Sequence, residues 1–136
     1  MLSPNIKTIL MLDAVTCAAM FLLCVFAAAT LAPLFGLPAG VVTAAGWICL
    51  TAALPMVGVA AQRVPSRGLT NLIAVGNLGW VVASFAVLAI FAGQMSWLGI
   101  AATVVQALVV LEFALIEAKG AATLPRAAAA GWPRAS

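Results

Sequence analysis

Four long apolar runs separated by short connections dominate the chain. They extend over about residues 8–32, 41–61, 69–92 and 98–118. Each has roughly the 20 residues that an α-helix, rising 1.5 Å per residue, needs to cross a 30 Å hydrocarbon core. Because unpaired backbone amides are too costly in lipid, runs of this length predict helices rather than strands. The pattern therefore predicts an all-α, membrane-spanning bundle of four helices.

The connections between the runs are too short for consecutive helices to lie parallel. An up-down-up-down arrangement is the simplest four-helix topology with such connections. When the first and third runs are overlaid, Asp13 aligns with Asn77 and Phe21 with Phe85. This weak internal repeat suggests that the bundle consists of two repeated helical hairpins, related by an axis along the membrane normal.

The basic residues all lie in alternate connecting segments. Segments 35–40 and 93–97 carry no charge. Since Lys and Arg near short loops stay on the cytoplasmic side, this asymmetry predicts a multi-pass protein with both termini in the cytoplasm. An Ala-rich composition with more Arg than Lys suits a bacterial inner membrane. The basic residues are Lys7, Arg63, Arg67, Lys119, Arg126 and Arg134.

The composition indicates lipid as the main surrounding of the chain. Apolar residues make up 66% of it and charged residues 7%, against about 45–50% and 25% in globular domains. A soluble domain of 136 residues cannot bury so much apolar surface. The net charge of +3 comes from residues dispersed at helix ends, so no patch for nucleic acid is expected.

The last part of the chain differs from the four runs. Residues 120–136 are mainly Ala, Pro and Arg with one Trp. This composition predicts a disordered cytoplasmic tail after a transmembrane domain of residues 1–119. The alternative is a segment lying on the anionic inner leaflet, with Trp132 dipping into it.

Polar side chains inside the predicted helices form three faces that should meet in the bundle. Intramembrane polar residues normally face the interior, where they pair or bind ligands. The main candidates for a proton or ligand site are Asp13, Asn77, Gln106 and Glu112. Supporting candidates on the same faces are Thr16, Cys17, Trp80, Ser84 and Thr103. Glu117 shares the face of Gln106 but lies so near the end of the last run that we expect it to be interfacial.

Two interpretations of this polar set remain open. In the first, the residues are structural: Asp13 reaches the interface and pairs with Lys7 or Arg63, while Asn77 and Gln106 form interhelical hydrogen bonds. In the second, they form a functional site open to the cytoplasm.

Glu112 does not share the face of Gln106, because it is turned by about a third of a circle from it at 100° per residue. The last helix therefore lies between two partners, or Glu112 faces a second protomer or another membrane protein. Either arrangement favours a homo-oligomer or a complex.

The residue types that are absent narrow the chemistry. The sequence has no His and no Tyr, and its three cysteines lie within the apolar runs. Zinc sites based on His and haem ligation by His are therefore excluded within the chain. No nucleophile and base can be paired. We expect no metal and no cofactor, and the sequence contains no recognisable catalytic set, which favours a non-enzymatic protein without deciding the matter.

Several short segments resemble a group of small bacterial four-helix integral membrane proteins. They are Leu12–Ala14, Leu34–Pro38, Asn77–Ser84 and Gln106–Ala107, of which the Asn-x-x-Trp-Val-Val-Ala-Ser stretch is the most specific. The resemblance covers the four runs and implies the architecture, but no particular activity.

The function that the sequence favours is that of an accessory or assembly partner in the membrane. The alternative is a proton-coupled transporter of a small or lipophilic solute, with Asp13 and Glu112 as its carboxylates. Small multidrug-resistance transporters are similar in having four helices and an acidic residue in the first. This chain departs from them in the depth of that residue, in its lack of Tyr and in its tail.

Overall fold

Nearly all of the chain that the structure describes is helical. The computed structural model describes residues 5–126, which form five α-helices and no strand. The helices are α1 (Ile6–Phe26), α2 (Ala28–Phe35), α3 (Ala39–Ala60), α4 (Arg67–Phe91) and α5 (Trp97–Thr123). All but α2 are long and apolar enough to span a bilayer. The predicted all-α bundle of four membrane-spanning helices is confirmed.

The first apolar run forms two helices instead of one. The chain leaves helical geometry at Ala27, where φ is −111° and ψ is 18°, and then continues as α2. Because α1 alone is long enough to cross the hydrocarbon core, α2 is an addition beyond that span. Pro33 lies in the last turn of α2, which ends at Gly36 in the left-handed conformation with φ 73°. Glycine adopts this conformation at little cost, so it suits the end of a helix.

The spanning helices form a ring in the order α1, α3, α4, α5. The closest packing is within the two sequential hairpins, α1 with α3 and α4 with α5. Looser contacts join α3 to α4 and α1 to α5, so α1 and α4 lie diagonally opposite. The relation of the two hairpins by an internal repeat stays a prediction.

Small residues allow the helices of the first hairpin to approach closely. A Cβ atom added at Gly46 of α3 would lie 2.9 Å from the Cβ of Cys24 and 2.8 Å from a methyl group of Val25 in α1. Near the other end of this hairpin, Leu10 of α1 packs with Met56 of α3 in the main apolar core. Close backbone approach is how helices gain contact energy in lipid, where the hydrophobic effect does not drive them together.

The end of the bundle that carries the uncharged connections is held together by hydrogen bonds. The backbone N–H of Ser96 donates to the carbonyl of Phe35 at 3.0 Å, and its hydroxyl donates to the carbonyl of Leu34 at 2.7 Å. The amide of Gln94 donates to the carbonyl of Gly36 at 3.2 Å. The last residues of α2 and the following Gly36 are therefore joined to the connection that leads into α5.

The opposite end, here called the basic end, contains the described Lys and Arg residues. It is where α1 and α4 begin and where α3 and α5 finish. The final turn of α5 packs here, because a Cβ added at Gly120 would meet the side chain of Ile6 and Ala121 is buried. This contact extends α5 to Thr123, beyond the predicted tail boundary at residue 120. Residues 127–136 of the predicted tail, which include Trp132 and Arg134, lie outside the described residues.

Candidate functional site

A buried polar cluster connects three helices near the basic end. The Nδ2 atom of Asn77 in α4 donates hydrogen bonds to Oδ2 of Asp13 in α1 and to Oε1 of Glu117 in α5, each 2.6 Å long. The three side chains are between 0% and 6% exposed. We call Asp13, Asn77 and Glu117 the acid–amide cluster. It joins the diagonally opposite helices α1 and α4 across the centre of the bundle.

Helix direction explains why residues so distant in sequence meet. Asp13 lies seven residues after the start of α1, Asn77 ten after the start of α4, and Glu117 six before the end of α5. At 1.5 Å per residue these positions are about 9 to 15 Å from the same end of the bundle. The antiparallel arrangement therefore brings all three to a similar depth.

Among residues 5–126, no buried Lys or Arg accompanies the two acidic residues of the cluster. The thiol of Cys17 is 3.8 Å from Oδ1 of Asp13, a weak hydrogen bond from the same helix. None of the Lys and Arg residues between positions 5 and 126 is buried, and Arg63 is exposed. The interpretation that Asp13 reaches the interface is wrong, because its side chain is only 1% exposed.

The expectation for Glu117 is also wrong. Its side chain is fully buried instead of interfacial, because α5 continues a further turn and a half to Thr123. One carboxylate oxygen accepts from Asn77, whereas Oε2 has no hydrogen-bond partner. The signal that could have identified it is its position on the same helical face as Gln106, together with the absence of any residue that must end the helix at 118.

Gln106 belongs to a second, separate network between α4 and α5. Its Oε1 accepts from the indole N–H of Trp80 at 2.7 Å, and its amide nitrogen donates to the hydroxyl of Ser84 at 2.9 Å. Ser84 in turn donates to the carbonyl of Trp80 at 2.8 Å. Each of these polar groups has a hydrogen-bond partner, so the network links the two helices.

Two of the supporting candidates bond only to their own helices. The hydroxyl of Thr16 donates to the carbonyl of Leu12, and that of Thr103 donates to the carbonyl of Gly99. Thr16 is exposed and Thr103 is half-buried. Neither contributes a side-chain bond to the acid–amide cluster.

Glu112 lies apart from both networks. Its side chain is exposed on the outer surface of α5. Toward the basic end this surface finishes at the exposed Lys119. The exposed residues on it from two turns before Glu112 to one turn after it are apolar: Val105, Leu108, Val109 and Leu115. We call these four residues with Glu112 the Glu112 face. A carboxyl group thus lies in the middle of a surface otherwise suited to lipid.

Two surface grooves of the described residues do not reach the acid–amide cluster. One groove is lined by α1 residues between Lys7 and Val15, and the other lies between α1 and α3. Asp13, Asn77 and Glu117 line neither groove. Across residues 5–126, no three His, Cys, Asp or Glu side chains are grouped so that they could hold a metal ion. Comparisons of the chain with protein-family models, curated proteins and solved structures found no match.

Proposed function

We propose that this multi-pass membrane protein is an accessory or assembly partner that binds another membrane protein through the Glu112 face. The observation that carries the proposal is the exposure of Glu112 on a membrane-spanning helix. Glu112 lies eleven residues before the end of α5, roughly 16 Å along the helix axis. A charged side chain at the centre of a membrane helix costs about 2.5–3.5 kcal/mol in lipid, and a partner would reduce that cost.

The chemistry of Glu112 favours one kind of occupant for this face. A two-fold contact between identical chains centred on Glu112 would pair two carboxyl groups, and two ionised carboxylates have no hydrogen with which to bond each other. A helix of a different membrane protein carrying Arg, Lys, Asn or Gln at the same depth would donate hydrogen bonds to the carboxylate. We therefore propose that the partner is a different membrane protein. A homo-oligomer is the alternative outcome of the test.

Photo-crosslinking in native membranes tests which residues this face contacts. A photoreactive amino acid at Leu108, which is 54% exposed beside Glu112, is expected to form a protein adduct that mass spectrometry identifies as a different membrane protein. The matched control is Val82 of α4, which is 70% exposed on another spanning helix. It is expected to crosslink to lipid. If both positions form adducts only with lipid, the proposal is contradicted. An adduct between two copies of this chain would show that the Glu112 face forms a homo-oligomer instead of binding a different protein.

The location proposed for the protein is a bacterial inner membrane, with the basic end in the cytoplasm. It is supported by the common position of Lys7, Arg63, Arg67 and Lys119 at one end of the bundle. Reporter proteins fused after Arg67 and at the C-terminus should read cytoplasmic, and those inserted within residues 93–96 periplasmic. A periplasmic reading at the C-terminus would refute this orientation.

A proton-coupled transporter remains the second candidate function, favoured by the presence of buried carboxyl groups. The acidic residue that shares the Asn77 donor with Asp13 is Glu117, whereas Glu112 faces outward. A transporter also needs a path for water and solute to reach Asp13. Solute flux in vesicles that depends on pH and is abolished by Asp13→Asn would favour this candidate over the accessory role.

A further inference from the structure

The two buried carboxyl groups lie close to one another and share a single donor atom. Oδ2 of Asp13 and Oε1 of Glu117 both accept from the same nitrogen atom of Asn77, each at 2.6 Å, so the two carboxyl groups are direct neighbours. Two ionised carboxylates cannot hydrogen-bond to each other, because neither has a hydrogen to donate. Oε2 of Glu117 is buried and has no partner at all.

The groups that face this pair from every neighbouring helix do not neutralise it. α1 contributes Cys17, α3 contributes Cys49 beside it, and α4 contributes the amide of Asn77. Thiols and an amide carry no positive charge. Two ionised carboxylates that are direct neighbours repel each other, and the repulsion is stronger in a protein interior than in water. Membrane burial adds a desolvation cost for each charge.

We infer that Asp13 and Glu117 form a buried proton-binding site that holds one proton between them. In the bound state one group is a carboxylic acid whose O–H donates to the other group, a carboxylate, and Asn77 donates to both. Binding takes one proton from water, and release returns it to water and leaves two carboxylates. A proton carried by Oε2 of Glu117 would turn this buried atom, which has no hydrogen-bond partner, into a donor to Asp13.

The oxygen atoms of the acid–amide cluster suit a proton better than a metal ion. Two carboxyl groups and one amide supply fewer oxygen atoms than the six to eight that Ca²⁺ requires, and Mg²⁺ demands octahedral geometry.

Loss of the proton would place two unshielded charges between α1, α4 and α5. Because Glu117 lies one turn before the contact of Gly120 with Ile6, release is expected to loosen the end of α5 from α1. This inference does not depend on the Glu112 face.

Isotope-edited infrared spectroscopy of the full-length protein in lipid vesicles tests the site. Asp13 is the only Asp in the chain, and Glu112 and Glu117 are the only two Glu residues. Carbon-13 in the side-chain carboxyl of Asp therefore labels position 13 alone, without a substitution. At neutral pH we expect a carbonyl stretch from a protonated carboxyl group that shifts in frequency when Asp, or Glu, is labelled.

Conservative variants assign the band to the pair. Asp13→Asn and Glu117→Gln should each abolish it or move it to the remaining partner, whereas the control Glu112→Gln should leave it unchanged. The labelled wild-type protein decides the question even if a variant fails to fold. A spectrum without a protonated carboxyl at neutral pH would overturn the inference. A carbonyl band that does not shift with either label would also overturn the inference. So would a band that disappears when Na⁺ replaces K⁺ at constant pH, because the site would then bind a metal cation.

Discussion

Replacement of Asn77 by leucine is expected to lower the free energy of unfolding by about 2–3 kcal/mol. Asn77 supplies the amide hydrogen bonds to both Asp13 and Glu117. Single interhelical hydrogen bonds in membranes contribute about 0.6 kcal/mol on average and up to about 1.7. The loss should reach the upper part of that range for each bond, because the variant leaves two carboxyl groups buried without their shared donor.

A nearby residue on the same helix provides the control for this prediction. Asn71 lies six residues earlier in α4 and its side chain is exposed. Asn71→Leu should change the stability by less than about 0.5 kcal/mol, as is usual for surface substitutions. Reversible unfolding in mixed micelles with increasing denaturing detergent, followed by circular dichroism, measures both. Equal effects of the two substitutions would show that the acid–amide cluster does not stabilise the bundle.

The number and type of the spanning helices could be predicted from the sequence because lipid makes hydropathy decisive. In hydrocarbon every backbone amide must bond within its own helix, so an apolar run of about 20 residues leaves few alternatives. The break at Ala27 could not be predicted in the same way. The residues on both sides of it are equally apolar, and no change in hydropathy marks where α1 stops and α2 begins.

The candidate site was predictable only in part. Helical periodicity gives the face of the helix on which a residue lies, but not which residues of other helices lie at the same depth in the membrane. Periodicity placed Asp13 and Asn77 on interior faces, and these two side chains do bond to each other. Gln106 and Glu117 share a face of α5, yet eleven residues separate them by roughly 16 Å along the axis. They consequently belong to different networks.

The sequence places Glu117 on the same helical face as Gln106, but it does not show that this position is buried. Its burial depends on α5 continuing to Thr123 and on Gly120 packing against Ile6 of another helix. Glu112 illustrates the reverse situation. Its deviation from the face of Gln106 was visible from the 100° rotation per residue, but the sequence left open whether another helix of the bundle would cover it.

The second large effect is expected from Glu112→Leu, which should reduce the amount of complex with the partner protein at least tenfold. Truncating one member of a desolvated, hydrogen-bonded charge pair at an interface costs about 2–5 kcal/mol, and each 1.4 kcal/mol corresponds to about a factor of ten in affinity. The control is Thr51→Leu on α3, because Thr51 is also exposed and its hydroxyl bonds only to its own helix. It should leave the complex intact.

Native mass spectrometry of the protein released from its own membranes in lipid nanodiscs is the measurement that tests the proposed function most directly. The wild-type chain and Thr51→Leu should each appear bound to a second, different membrane protein, whereas Glu112→Leu should appear mainly alone while keeping its helical content. A wild-type chain that is monomeric and free of partners would contradict the proposed function. A complex that survives Glu112→Leu undiminished would contradict the role of the Glu112 face.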